Sequence, residues 1–314
     1  MARAGAPSRH VGLDLGVTNL KWAVLEREGD EWQLLDEGQR PTEAERGAQA
    51  TVELMARTAA EAMAAWPGIS SCGVGVPGLY DPAAGTTRDI INMPDPAQWV
   101  GLPVAEPLRA ALGVPTFLVN DARAFGLAEL RLGAARGAGS MVGLTLGTGV
   151  GGVIAVGGRV HQGHDGTAGE AGHQTIDPDG PSCNCGNNGC LEAFARADRI
   201  AQACGTDSPE EAVERARAGD GRAREGLARV GRHLGIGVAN LIVLITPDVV
   251  VVGGGVAAAG ELLLDPLREE VGRRVHVTSV DAVEIRTAEL GTWAGAIGAA
   301  VHGAEQAAEE AALR

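Results

Sequence analysis

The sequence predicts two α/β domains with a cleft between them. Strands alternate with helical segments twice over, a strand–turn–strand pattern at Asp14 is echoed at Leu146, and no long linker or low-complexity stretch interrupts the chain. The echo has the form of an internal duplication, although few identities support it. At 314 residues the chain has room for two domains of roughly 100–200 residues each. The expected division is 1–121, completed by a C-terminal helix at about 295–314, and a larger domain over 122–294.

The elements follow in order. Val11 to Leu15 and Leu20 to Leu25 are apolar runs joined by the polar turn Gly16-Val17-Thr18-Asn19, which reads as two strands and a bend. Glu43 to Trp66 carries Ala, Leu and Met at helical spacing and stops at Pro67-Gly68. Ser71 to Val76 is a strand ending at Pro77-Gly78, and Pro103 to Leu112 a helix ended by Gly113. Pro115 to Val119 is a strand that delivers Asn120-Asp121 to its C-terminal end. In the second domain Met141 to Leu146 and Val153 to Val156 flank the turn Gly147 to Gly152. Ser208-Pro209-Glu210-Glu211 opens a helix with a cap, a proline at the first position and acids in the first turn. Val249 to Val252 is a buried strand running into Gly253-Gly254-Gly255.

Composition narrows the function classes. With 45% hydrophobic and 21% charged residues the chain is ordinary globular material, and 3% aromatics leave the core to Ala, Val, Leu and Ile. The 47 glycines, about twice the usual ~7%, imply many tight turns and close backbone approaches. The net charge is −14 and Lys21 is the only lysine, so the basic patch that a nucleic-acid binder needs is missing. No signal-peptide core and no run of about 18 apolar residues is present, so no membrane span is expected. Five cysteines, three of them within eight residues, suit a metal and the reducing cytoplasm better than a disulfide frame.

That cysteine cluster is the strongest chemical signal. Cys183, Cys185 and Cys190 lie in a glycine-rich loop, and His173 stands ten residues upstream. Zinc takes four nitrogen or sulfur ligands in a tetrahedron, and four filled positions leave none open, so the expected metal is structural. The bland reading, three surface thiols, offers a cytoplasmic protein little. Cys72 and Cys204 read as buried small residues. The turns around Thr18 and Thr148 either cradle phosphate through backbone N–H groups or are plain hairpin bends. Asp14, at a strand end, can organise Mg2+ through waters. Asp121 either takes the proton of an attacking hydroxyl or, with Asn120, caps the following helix. Glu170, His173 and Glu192 flank the metal loop, where they either meet the vicinal hydroxyls of a polyol or are solvated surface groups.

Together these residues resemble the ROK family of repressors, open reading frames and sugar kinases. The resemblance runs through Asp14–Lys21, Gly73–Gly78, Asn120-Asp121, Leu144–Ile154, Gly166–His173, Cys183–Glu192, Val252–Gly255 and Leu290–Ala300. It implies an actin/hexokinase-like fold with two ribonuclease-H-like domains. It implies Asp121 as the general base that activates a sugar 6-hydroxyl toward the γ-phosphate of ATP. Asn120, Glu170, His173 and Glu192 would hold sugar hydroxyls, with Gly78 and Asn92 as additions. Asp14 would serve Mg2+. The turns Gly16-Val17-Thr18-Asn19 with Lys21, and Gly147-Thr148-Gly149, would take the phosphates, and Gly254-Gly255 would lie near adenosine. His173, Cys183, Cys185 and Cys190 would bind zinc, and a homodimer or homotetramer is implied.

Three departures from the family pattern stand out. Val17 replaces a usual glycine in the first turn, Trp293 stands where Asp is common, and Met93 to Gln98 lengthens a segment bordering the sugar. The resemblance implies a glucokinase-like ATP:hexose 6-phosphotransferase, and Val17 and the altered rim motivate a different acceptor. An amino-sugar kinase acting on kanosamine, glucosamine or N-acetylmannosamine is the alternative. The sugar-responsive repressors of the family carry a winged helix-turn-helix of roughly 60–80 residues, whereas about ten residues precede the first strand here, so a repressor is not expected.

Overall fold

The first apolar run becomes β1 (Ser8–Leu15), and the glycine turn reverses it into β2 (Asn19–Glu28), antiparallel and in register with Asp14 opposite Lys21. These coordinates are a computed structural model and describe residues 7–90 and 93–313. A third strand, β3 (Glu31–Pro41), extends the sheet at its edge. No residue of β3 is fully buried, so it lacks the apolar alternation that marks a strand in sequence. Helix α1 (Ala48–Ala65) starts later than its apolar spacing suggests because Gly47, at φ 93°, separates it from a 3-10 turn at Ala44–Arg46. Then come β4 (Ile69–Val76), a small hairpin of β5 (Leu79–Asp81) and β6 (Thr86–Asp89), α2 (Ala105–Leu112), β7 (Thr116–Asn120) and α3 (Asp121–Arg131). The sheet order is β3-β2-β1-β4-β7, with β1, β4 and β7 parallel.

The second unit repeats this plan. Strands β8 (Ser140–Leu146) and β9 (Val150–Val156) form the second hairpin, with β10 (Arg159–Val160) at the edge. Four helices follow: α4 (Glu192–Ala195), α5 (Ala197–Cys204), α6 (Pro209–Arg217) and α7 (Gly221–Ile245). The Ser208 hydroxyl accepts the N–H of Glu211 at 3.1 Å, capping α6. Strand β11 (Val249–Gly254), α8 (Glu261–Arg274) and β12 (Glu284–Thr287) complete a sheet ordered β10-β9-β8-β11-β12, again antiparallel on one side and parallel on the other. By length and composition α7 is apolar enough to cross a membrane, but half of that window is buried inside the unit, where Leu227, Val230, Leu234 and Val238 enter its core.

The chain returns to the first unit as α9 (Ala294–Ala312). The two compact units are residues 1–132 with 293–314, and residues 133–292; α3 and α9 both belong to the first. Helix α9 lies directly on β1 and β4. A Cβ on Gly73 would overlap the carbonyl oxygen of Ala299, so only glycine lets the helix backbone approach the strand this closely. Gly73→Val is expected to destabilise the first unit by at least about 1–3 kcal/mol, read as a lower urea midpoint. An unchanged midpoint would show that α9 docks further from the sheet.

Candidate functional site

In the first unit, β7 ends at Asn120 and α3 begins at Asp121. The buried Asn120 side chain accepts the N–H groups of Ala122 and Arg123 at 3.1 and 3.2 Å and donates to the carbonyl of Gly78 at 3.2 Å. The helix-cap role thus falls to Asn120, and it fixes Gly78 against the end of the strand. Asp121 is exposed at the first helical position, one carboxylate oxygen accepting the Ala122 N–H at 2.8 Å. A helix N-terminus favours an anion there. Asn92 lies outside the described residues.

The first glycine turn is organised by a residue that sequence reasoning missed. The Thr42 hydroxyl donates to the Gly16 carbonyl at 2.7 Å and the Thr42 N–H to the Thr18 carbonyl at 2.9 Å. Thr42 is fully buried, just beyond β3, and no spacing rule links it to a turn 26 residues earlier. The positive-φ positions other than glycine among the described residues are Glu43, Asp95 and Thr246, so Val17 completes its turn without entering the left-handed region. Thr18 and Val17 are exposed. Asp14 faces Lys21 across the hairpin. Burial raises its carboxyl above the usual range, and the Lys21 ammonium opposes that rise. The carboxylate sits against the first turn of α9, where any side chain on Gly295 would displace it.

In the second unit the two candidate nucleotide turns come together: Gly254 pairs with Leu146, immediately before Gly147. Gly147 and Thr148 are exposed at the bend, and the Gly147 N–H donates to the Gly149 carbonyl at 2.9 Å. Gly255 approaches the Glu210 carboxylate on α6. Glu192, expected among the sugar partners, accepts the Val150 N–H at 2.9 Å through Oε2, while Oε1 lies 3.7 Å from Cys183 Sγ. One carboxylate therefore ties the second turn to the metal loop. Glu170 stands just before the 3-10 turn Ala171–His173, with ψ 58°, and its carbonyl accepts the His173 N–H at 3.0 Å.

The ligand atoms of His173, Cys183, Cys185 and Cys190 all lie within 4.8 Å of one another. A zinc tetrahedron with Zn–S near 2.3 Å and Zn–N near 2.0 Å spaces its corners about 3.5–3.8 Å apart. Cys185 and Cys190 sulfurs are 3.6 Å apart, and Cys183 Sγ is 3.6 Å from His173 Nδ1. The four residues fit a structural zinc, which leaves the Nε2 edge of His173 outside the cluster. Burial pushes the Cys190 thiol up to about 12 and raises Cys183, whereas the Asn187 N–H lowers Cys185. A divalent cation supplies the charge that three thiolates at these distances require.

Residues 10–305 match the ROK family model. A glucokinase from Thermotoga maritima is 35% identical over 309 residues, covering 92% of this chain and 95% of that protein. A ROK hexokinase from Thermus thermophilus superposes with a TM-score of 0.81 at 36% identity, over 96% of this chain and 99% of that one. A ROK family glucokinase from Streptomyces griseus, solved with glucose and AMPPNP, gives a TM-score of 0.81 at 28% identity, over 95% of this chain and 100% of that one.

Proposed function

The chain belongs to the ROK family, and from that premise we propose that it is a cytoplasmic, ATP-dependent hexose kinase of the glucokinase type. The observation that carries this reading is Asp121. It is exposed at the junction of β7 and α3, beside a buried Asn120 that locks the junction. A carboxylate held there accepts the proton of the sugar 6-hydroxyl as that oxygen forms a bond to the γ-phosphorus and the bond to ADP breaks. The first unit also supplies Gly78, Asn92 and Asn120 as hydroxyl partners, with Gly16, Thr18, Asn19 and Lys21 for phosphate. Asp14 is the carboxylate for the Mg2+ that accompanies ATP, an ion that neutralises phosphate charge. The second unit supplies Glu170, His173 and Glu192 for sugar hydroxyls, the Gly147-Thr148-Gly149 turn for phosphate and Gly254-Gly255 for adenosine. Zinc on His173, Cys183, Cys185 and Cys190 holds the loop that carries these groups. A homodimer or homotetramer is part of the same proposal.

The amino-sugar alternative rests on Val17 and on the segment after Asn92. Gln98 Oε1 accepts the Ala48 N–H at the start of α1 at 3.1 Å, Trp99 is buried, and Asp95 is left-handed. The lengthened rim is thus a fixed structure able to shape acceptor choice. A panel of glucose, glucosamine, kanosamine and N-acetylmannosamine with ATP is expected to give glucose the highest kcat/KM. Far faster turnover of an amino sugar would replace the glucokinase assignment with the alternative.

A further inference from the structure

Helices α5 and α7 enclose a groove of about 500 Å3 in the second unit that contains none of the candidate sugar, nucleotide or metal residues. Its polar lining is Arg199 and Gln202 from α5 and Arg222, Glu225 and Arg229 from α7, and Phe194 forms part of its apolar wall. Three guanidinium groups converging in a chain of net charge −14 call for an explanation, because 40 acidic residues are available to pair with 26 basic ones. Neighbouring arginines of the unit do pair: Arg196 with Asp198, Arg215 with Asp220 and Arg232 with Glu225. Among the described residues Arg222 and Arg229 meet no carboxylate, and Arg199 donates to the Gln202 amide oxygen at 3.1 Å with the charge of Asp198 nearby, leaving its buried Nε without an acceptor. Glu225, the one acid in the groove, is already engaged by Arg232 at 2.8 Å.

Two packing contacts define the groove walls. The Arg222 guanidinium lies over Gly205 at the end of α5, in space that a Cβ there would fill. The Phe194 ring packs on His233 with centroids 4.6 Å apart. We propose that this groove binds a small phosphate monoester, with the phosphate held by Arg199, Arg222 and Arg229, the Gln202 amide as a further donor, and the organic part against Phe194. Guanidinium forks match the planar pairs of oxygens on a phosphate, and such charge-assisted bonds are stronger than neutral ones. The volume exceeds what a lone phosphate needs and suits a phosphorylated small metabolite.

The test is calorimetric titration of glycerol 3-phosphate, with inorganic phosphate and glycerol as separate arms, into the full chain. Arg222→Gln/Arg229→Gln is compared with Arg109→Gln, which removes a charge from the other unit. Saturable binding of glycerol 3-phosphate is expected to weaken about tenfold or more in the double variant and to stay unchanged in the control. Both groove arginines are solvent-exposed and glutamine is a good helix former, so the fold is retained. In the unmodified protein, glycerol 3-phosphate is expected to protect Arg222 and Arg229 from phenylglyoxal, mapped by mass spectrometry. Tighter binding of glycerol 3-phosphate than of inorganic phosphate would support the role of Phe194. Absence of saturable binding, equal affinity in the double variant and the control, or no protection would each overturn the proposal. None of these readouts depends on kinase turnover.

Discussion

Asp121→Asn is expected to lower kcat by about 10²–10⁴-fold, the usual contribution of a positioned general base, while sugar affinity measured by calorimetry stays as it was. The substitution is close to isosteric. The side-chain oxygen that accepts the Ala122 N–H at 2.8 Å is kept, and so are the Asn120 contacts that cap α3. What disappears is the negative charge and the ability to receive a proton. Losing an anion from the first helical turn costs about 0.3–1 kcal/mol of stability, too little to unfold the unit. The variant therefore separates chemistry from binding. Unchanged turnover would remove Asp121 from the mechanism, and lost sugar affinity with unchanged turnover would recast it as a binding residue.

On the proposed zinc assignment, removing the metal is expected to have the other large effect. Chelation, or Cys185→Ser, should release one zinc per chain, speed hydrogen exchange across residues 173–192 and weaken sugar binding by about tenfold or more, given that structural zinc contributes about 10–16 kcal/mol of apparent binding free energy in small domains. Cys185 is exposed, so its replacement by serine removes a ligand without emptying any core volume. The consequence reaches beyond the loop because Cys183 adjoins Glu192, and Glu192 holds the Val150 N–H of the second glycine turn. Loss of zinc should for that reason raise the KM for ATP as well as for sugar. A metal-free protein with unaltered kinetics would refute the structural role.

Much of this was legible from residue order. The hairpins at Asp14 and Leu146, the cap at Ser208 and the Cys/His cluster are local: each is encoded within about twenty residues or fewer by turn chemistry, apolar runs or ligand spacing. Asn120-Asp121 was legible as a pair but ambiguous in role; the structure gives the cap to Asn120 and leaves the Asp121 carboxylate exposed. Strand β3 escaped notice because an edge strand with no fully buried residue carries no hydrophobic period.

What the sequence determined by itself was the family, the doubled strand–turn–strand plan and the Cys/His cluster that could hold a metal, since each is carried by motifs along the chain. Tertiary structure decided how the parts are held in place. Thr42 braces the first turn from 26 residues away, Glu192 reaches Val150 across 42, Gly295 makes room for the Asp14 carboxylate, and three arginines from two helices converge on one groove. None of these has a signature along the chain. Each arises where packing brings distant residues within hydrogen-bond or van der Waals reach, and only the folded backbone sets that distance.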